Sequence, residues 1–429
     1  MMQKYLNPDK KDWPDLLRRP MNRSSELKDK VSNLLEDIRI NGEAAVRKYS
    51  KMFDRSAPED IVVSPEEIEE SEKLISSDLK NAIEQAAKNI RKFHETQRQT
   101  FNKIETVSGV VCWQKAVPIQ KVGLYIPGGT APLFSTVLML GIPAKIAGCK
   151  KIILCTPPDD TGKINPAILF AAKVAGITDI FKVGGAQAIG AMAYGAGKIP
   201  RTNKIFGPGN QYVMTAKQLV SLYDVAIDMP AGPSEVAVMA DRDSDPEFIA
   251  SDLLSQAEHG PDSQVILVTN NEAIIDKTEI EITKQLSKLS RKDIAVKALS
   301  HSIAVVFDNE DKMINLINEY APEHLIISMN DYKRISEKIV NAGSVFLGKY
   351  SPESAGDYAS GTNHTLPTNG WAHAYSGINM DSFIKKMTFQ EISEDGIKNL
   401  GPVIETMAEA EHLGAHKNAV TLRLNKIKR

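Results

Sequence analysis

Four segments of the chain carry residue types that perform metal and acid–base chemistry. The first, residues 253–262, reads LLSQAEHGPD, with Gln256 and His259 three apart and Glu258 between them. On a helix such a pair shares one face and could offer an amide oxygen and an imidazole to a cation. A histidine near a helix C-terminus is also favoured by the helix dipole with no function attached, and Gly260-Pro261 would end a helix there. HExxH is absent. The second, EYAPEHLII, sets Glu323 beside His324, a carboxylate and an imidazole that one substrate could meet together. Its plainer reading puts Pro322 at a helix start and the acid in the first turn. The third, SPESAGDYASGTNHTLPTNG from Ser351, reads as a polar loop bearing Asp357 and His364, and long polar loops often carry function. The fourth, AEAEHLGAHKNAV, holds Glu411, His412 and His416 and is equally readable as a solvated helix face. Seven of the eight histidines follow residue 258, whereas tyrosines and aspartates are not skewed, so a metal or a base belongs in the C-terminal part.

The elements that must position these groups read as alternating strands and helices. To about residue 105 the chain reads as helical. Ser64-Pro65-Glu66-Glu67 forms a capping box, and apolar residues recur at helical spacing from Leu74 to Ile90. From residue 121 short apolar runs (KVGLYI, KKIILCT, DIFKV, NKIF, VAID) alternate with helical runs across Gly-rich links. The pattern resumes with EVAVMA, QVILVT, IAVVF and LIIS. This alternation predicts an α/β fold with parallel sheets. The tail, from FIKKMTFQEIS onward, predicts a strand and then one helical stretch through residue 420.

Length and composition narrow the class. A chain of 429 residues exceeds a single core, so two or more domains are expected. A net charge of −2 gives no electrostatic reason for nucleic acid or an anionic membrane as partner. No apolar run reaches the roughly 18 residues of a membrane span. No signal-peptide core precedes the first helix, so a cytoplasmic location is expected. Cys112, Cys149 and Cys155 fit no CxxC pattern and are expected to be buried, inert thiols in a reducing compartment. The nearest approach to a dinucleotide fingerprint is Gly207-Pro208-Gly209-Asn210-Gln211-Tyr212, where Tyr212 stands in place of the third glycine. Asp228, about 20 residues on, tempts one to complete that motif. A tight βα turn competes with that reading.

Together, LYIPGGTAPLFSTVLML, VGGAQAI, KIFGPGN, DMPAGPSEV, SDLLSQAEHGPDSQVIL, NEYAPEHL, SPESAGDYASGTNHTLPT and AHKNAVTLR resemble the histidinol dehydrogenase family, in the family's order over roughly residues 120–424. The resemblance implies oxidation of L-histidinol to L-histidine through L-histidinal with two NAD. It implies zinc held by Gln256, His259, Asp357 and His416; ligand type alone would not exclude manganese or cobalt. It implies His324 as general base and Glu323 as activator of water for the aldehyde step. The zinc would position the substrate more than polarise its alcohol. Ser234, His364 and Glu411 are implied at the substrate alongside the zinc ligands and His324, and Tyr125, Gln187 and Asn210 at NAD. Asp228, His373 and His412 fall outside the implied site, and His94 and His301 are read as structural.

The fold implied is two incomplete Rossmann-like domains with parallel sheets, plus two small terminal domains exchanged in a homodimer with a shared active site. Residues 22–120 and 235–378 would form the first Rossmann-like domain and residues 121–234 the second, on the NAD side. Residues 1–21 and 379–429 would be the terminal pieces, His416 reaching the zinc of the partner chain. A zinc hydrolase using Glu323 to activate water, or a non-catalytic zinc-binding protein, is the competing reading of the same ligands.

Overall fold

Runs of aliphatic residues bounded by Gly and Pro form the strands of the computed structural model, which describes residues 2–20, 25–128 and 132–427. Gly129, within the turn at Pro127-Gly128-Gly129, and the 21/22 boundary of the N-terminal arm lie outside the described residues. The chain forms two compact units, Met1–Thr96 with Gln120–Phe383, and Gln97–Ile119 with Ile384–Arg429.

The strands in chain order are β1 (Gln3–Leu6), β2 (Ile104–Val107), β3 (Val110–Pro118), β4 (Lys121–Tyr125), β5 (Lys151–Thr156), β6 (Asp179–Lys182) and β7 (Lys204–Phe206). They continue with β8 (Ala226–Ile227), β9 (Glu235–Ala240), β10 (Gln264–Thr269), β11 (Ile303–Val306), β12 (His324–Ser328), β13 (Ser344–Leu347) and β14 (Ile384–Ile392). The larger unit holds two sheets, ordered β6-β5-β4-β7-β8 and β1-β11-β10-β9-β12-β13, with every pairing parallel. Strands β9, β10 and β12 are buried along their whole length, so both faces are covered. That is why they read as continuous apolar runs and do not alternate. Apart from β1, which adds at an edge, the chain in each sheet starts in the middle, runs outward, then returns to the other side. The order therefore reverses between β4 and β7, and between β9 and β12, and crevices in such sheets open at those reversals.

The N-terminal segment departs from its helical expectation. Gln3–Leu6 pairs with β11, Gln3 opposite Ile303, as an edge strand. Gln-Lys-Tyr-Leu has no strand alternation of its own, and only the waiting edge of β11 makes it one. The single helix expected from Ser64 divides into Pro65–Ser71 and Ser77–Glu95, because Ser76 starts a new helix by accepting from the Leu79 N–H.

Asp228 has a structural occupation. Its carboxylate lies 2.5 Å from Lys217 Nζ with both side chains buried, and it accepts the Gly207 N–H. Lys217 also donates to the Gly207 carbonyl. These bonds hold the turn after β7 against β4, where a side chain at position 207 would overlap the Tyr125 carbonyl at a backbone φ of 122°. Cys149 and Cys155 are buried, and burial pushes the Cys149 thiol up to about 12. Cys112, expected to be buried, is only half-buried.

In the smaller unit β14 runs antiparallel to β3, from Ile384 opposite Pro118 to Ile392 opposite Val110. The helical stretch expected after it is two helices, Glu394–Ala410 and Gly414–Ile427, broken where His412 takes a φ of 58°. Among the described residues no helix is long and apolar enough to cross a membrane.

Candidate active site

Glu323 and His324 do not begin a helix. The helix Glu310–Tyr320 ends at Ala321, whose φ is 48°, and Pro322 and Glu323 lead directly into β12, of which His324 is the first residue. His324 lies in register with Val236, so the pair sits where the amino ends of β9 and β12 adjoin. One residue anchors both. The Glu235 N–H donates to Glu323 Oε2 at 2.9 Å, and His324 Nδ1 lies 3.2 Å from the Glu235 carbonyl. A carbonyl only accepts, so Nδ1 carries a proton, and in the neutral ring Nε2 holds the lone pair. Among the described residues Nε2 is buried without a hydrogen-bond partner; Asp357 Oδ1 at 3.6 Å is beyond bonding range.

The metal-type ligands come from two helix ends. Gln256 is buried in the last turn of the helix Pro246–Ala257, and His259 follows two residues beyond it. Asp357 lies on a short helix, Glu353–Tyr358, inside the segment expected to be a loop. That helix brings in Glu353, which sequence reasoning missed. Its i, i+4 spacing to Asp357 is visible only once the segment is read as helical. His259, Glu353 and Asp357 present ligand atoms all within 4.8 Å of one another. The Gln256 amide nitrogen, turned to its only acceptors, donates to both Glu353 carboxylate oxygens, Oε2 at 3.2 Å. That orientation turns the Gln256 amide oxygen away from Glu353. His364 donates from Nδ1 to the Asp357 carbonyl (2.8 Å), and its Nε2 meets the Thr136 hydroxyl at 3.1 Å.

The electrostatics follow from burial and crowding. Burial holds the His364 imidazole below its ordinary pKa. His259 is exposed at its edge, yet desolvation by the protein around its ring, with the neighbouring His324, His364 and Arg291, holds it low as well, so both favour the neutral form that a lone-pair donor needs. Burial works against the Asp357 charge, but His324, His364 and His259 outweigh it and hold this carboxyl below the usual range. Burial raises Glu353 well above the carboxylate range and pushes Glu323 up to about 8. His324 departs from the near-ordinary value expected of a base. Burial opposes its protonation, but Glu353, Glu323 and Asp357 surround it and raise it to about 10. Three carboxylates around one imidazole, with two neutral imidazoles beside them, make a donor set that suits a divalent cation.

The residues expected at a dinucleotide stand at the other reversal. Tyr125 ends β4, and its hydroxyl accepts the Gly185 N–H at 3.0 Å. Gln187 is buried in the helix Gly185–Tyr194. Its Nε2 donates to Asp54 at 3.1 Å, and its buried Oε1 has no partner among the described residues. Asn210 follows β7 and caps the helix Gln211–Ser221 through the Tyr212 and Val213 N–H groups. Asp54 also accepts from the Gly184 N–H, so a carboxylate already occupies the helix start where a phosphate would otherwise be bound. No motif marks Asp54 in the sequence. Ser234 is half-buried immediately before β9. Glu411 and His416 lie in the smaller unit and are exposed on it. His94 bonds the Ile90 carbonyl within its own helix, and His301 the Ser263 carbonyl.

The family model described as histidinol dehydrogenase matches residues 17–424. Histidinol dehydrogenase of Bacteroides fragilis is 58% identical, covering 98% of this chain and 99% of its own. That of Bacteroides thetaiotaomicron is 58% identical over the full length of both chains. The crystal structure of histidinol dehydrogenase from Elizabethkingia anophelis matches with a TM-score of 0.97 at 55% identity, covering 100% of this chain and 99% of that one.

Proposed function

The chain belongs to the histidinol dehydrogenase family and is an oxidoreductase of that class, and from this premise we propose that it oxidises L-histidinol to L-histidine through L-histidinal, using zinc and two NAD. The observation that supports the residue roles best is the bare, buried Nε2 of His324 facing the group formed by His259, Asp357 and Glu353.

Gln256, His259 and Asp357 would hold the zinc, with His416 supplied by a second copy of the chain in a homodimer. When bound, the cation would position the amino alcohol and offset the Asp357 charge that helps to keep His324 protonated. NAD, held at Tyr125, Gln187 and Asn210, supplies the hydride acceptor. Ser234, His364 and Glu411 complete the substrate pocket. We read residues 22–120 with 235–378 and residues 121–234 as the two Rossmann-like domains. On the same reading, residues 379–429 are exchanged between copies; the N-terminal piece, also expected to be exchanged, packs on its own chain, where β1 pairs with β11 and Arg19 with Glu235.

The chain's own groups then act in order. His324 takes the hydroxyl proton at Nε2 as the carbinol hydrogen leaves as hydride, giving the aldehyde. Nδ1–H stays on the Glu235 carbonyl throughout and fixes the ring. Water adds to the aldehyde once Glu323 accepts a proton from it. After His324 has released the first proton to solvent, the hydrate loses a proton to its Nε2 and a second hydride to the second NAD, giving the carboxylic acid.

Only the ionised form of Glu323 accepts that proton, and burial places its titration near 8. Single-turnover oxidation of L-histidinal is therefore expected to speed up as pH rises through about 8, and Glu323→Gln to be slow with no such rise. An unchanged profile in Glu323→Gln would remove Glu323 from the water step.

A further inference from the structure

The amino ends of β9 and β12 hold a buried ionic group that none of these steps uses. Arg19, from the N-terminal arm, is largely buried and grips the Glu235 carboxylate through two parallel bonds, Nε at 2.6 Å and Nη2 at 3.0 Å. Nη2 also donates to the Tyr320 carbonyl at 2.5 Å, and the guanidinium lies 4.1 Å from the centre of the Tyr320 ring. The Asn369 N–H closes the cage on the same carboxylate at 2.6 Å. Tyr320 in turn donates to Gln264, which donates to the Arg18 carbonyl, so the arm's own backbone is tied into the group.

Both ends of the Arg19 fork fall beside the catalytic pair. Glu235 supplies the N–H that holds Glu323 and the carbonyl that holds His324. Tyr320 lies three residues before Glu323, at the end of the helix that delivers it. A planar guanidinium spans a carboxylate and a carbonyl while stacking on an aromatic ring; an ammonium makes point contacts only.

We propose that Arg19 is a positioning residue for Glu323 and His324, acting through Glu235 and Tyr320. The proposal rests on the catalytic roles assigned to that pair. Arg19 touches neither the reacting atoms nor the ligand group. Its loss lets the Glu235 peptide and the start of β12 shift relative to each other, and displacements of about 1 Å cost on the order of 100-fold in rate.

The test uses zinc-loaded holoenzyme with rates expressed per bound zinc. Arg19→Met is expected to lower kcat about 10- to 100-fold, leaving KM for L-histidinol and NAD little changed. Arg19→Lys, which keeps the charge but not the fork, shows the same kcat-selective loss, smaller in size, and carries the test if Arg19→Met does not fold. Added to a chain already bearing Glu323→Gln and His324→Asn, either substitution changes kcat no further. Unchanged kcat per zinc in the single variants overturns the proposal. So does an equal loss in both backgrounds, since a purely structural role ignores the catalytic pair. If His324→Asn and Glu323→Gln themselves leave turnover intact, the assigned roles fail first. If they impair turnover and the Arg19 variants do not, only this inference fails.

Discussion

Replacing His324 by asparagine is expected to lower kcat for L-histidinol by about 10²- to 10⁴-fold, the range for a general base, with KM less affected. Asparagine keeps a donor near the position of Nδ1 and so retains a bond to the Glu235 carbonyl, but it has nothing in place of Nε2. The variant therefore removes the proton acceptor while disturbing its anchor least. Because the same nitrogen serves both oxidations, the alcohol and aldehyde steps fall together, whereas Glu323→Gln spares the first. Single-turnover rates from each substrate, on protein with full zinc content, make the comparison. Turnover unchanged in His324→Asn would end the assignment.

The second large effect concerns the cation. His259→Asn and Asp357→Asn each delete a donor from the group whose ligand atoms lie within 4.8 Å. Glu353→Gln deletes no donor on this account. Glu353 accepts from the Gln256 amide nitrogen and so fixes the amide with its nitrogen inward. An amide at 353 both donates and accepts, and that orientation is no longer enforced. Loss of such an outer partner typically weakens metal binding 10- to 100-fold. Zinc affinity, measured by competition with a chromophoric chelator, is expected to fall by about that much in Glu353→Gln. His259→Asn and Asp357→Asn should weaken it more. Equal losses in Glu353→Gln and His259→Asn would make Glu353 itself a ligand. Normal binding in Asp357→Asn would show that the donor set is wrongly drawn.

The sequence made some of this readable and left the rest to tertiary structure. The α/β class followed from strands such as QVILVT, which are apolar throughout because parallel sheets cover both faces. The spacing of Gln256 and His259 raised a metal pair but could not choose it over a helix end; matching segments elsewhere in the chain raised its standing. Glu353 was hidden because Gly, Ser and Asp made its helix read as a loop. Glu235 and Arg19 were hidden for a deeper reason. Glu235 opens a strand, and its value lies in a backbone N–H and carbonyl that every residue type possesses. Arg19 belongs to an arm whose strand, β1, forms by pairing with residues about 300 positions away. The pKa of His324 was equally out of reach, since two of its three carboxylate neighbours are contributed by a separate element, the helix Glu353–Tyr358.

The most direct test counts NADH against substrate. With purified protein, zinc, excess NAD and a limiting amount of L-histidinol, the account predicts two NADH per L-histidinol consumed, with L-histidine as product. Prior removal of metal by a chelator should abolish the signal, and added zinc should restore it. One NADH per substrate with aldehyde accumulating, or full activity in metal-free protein, would contradict it.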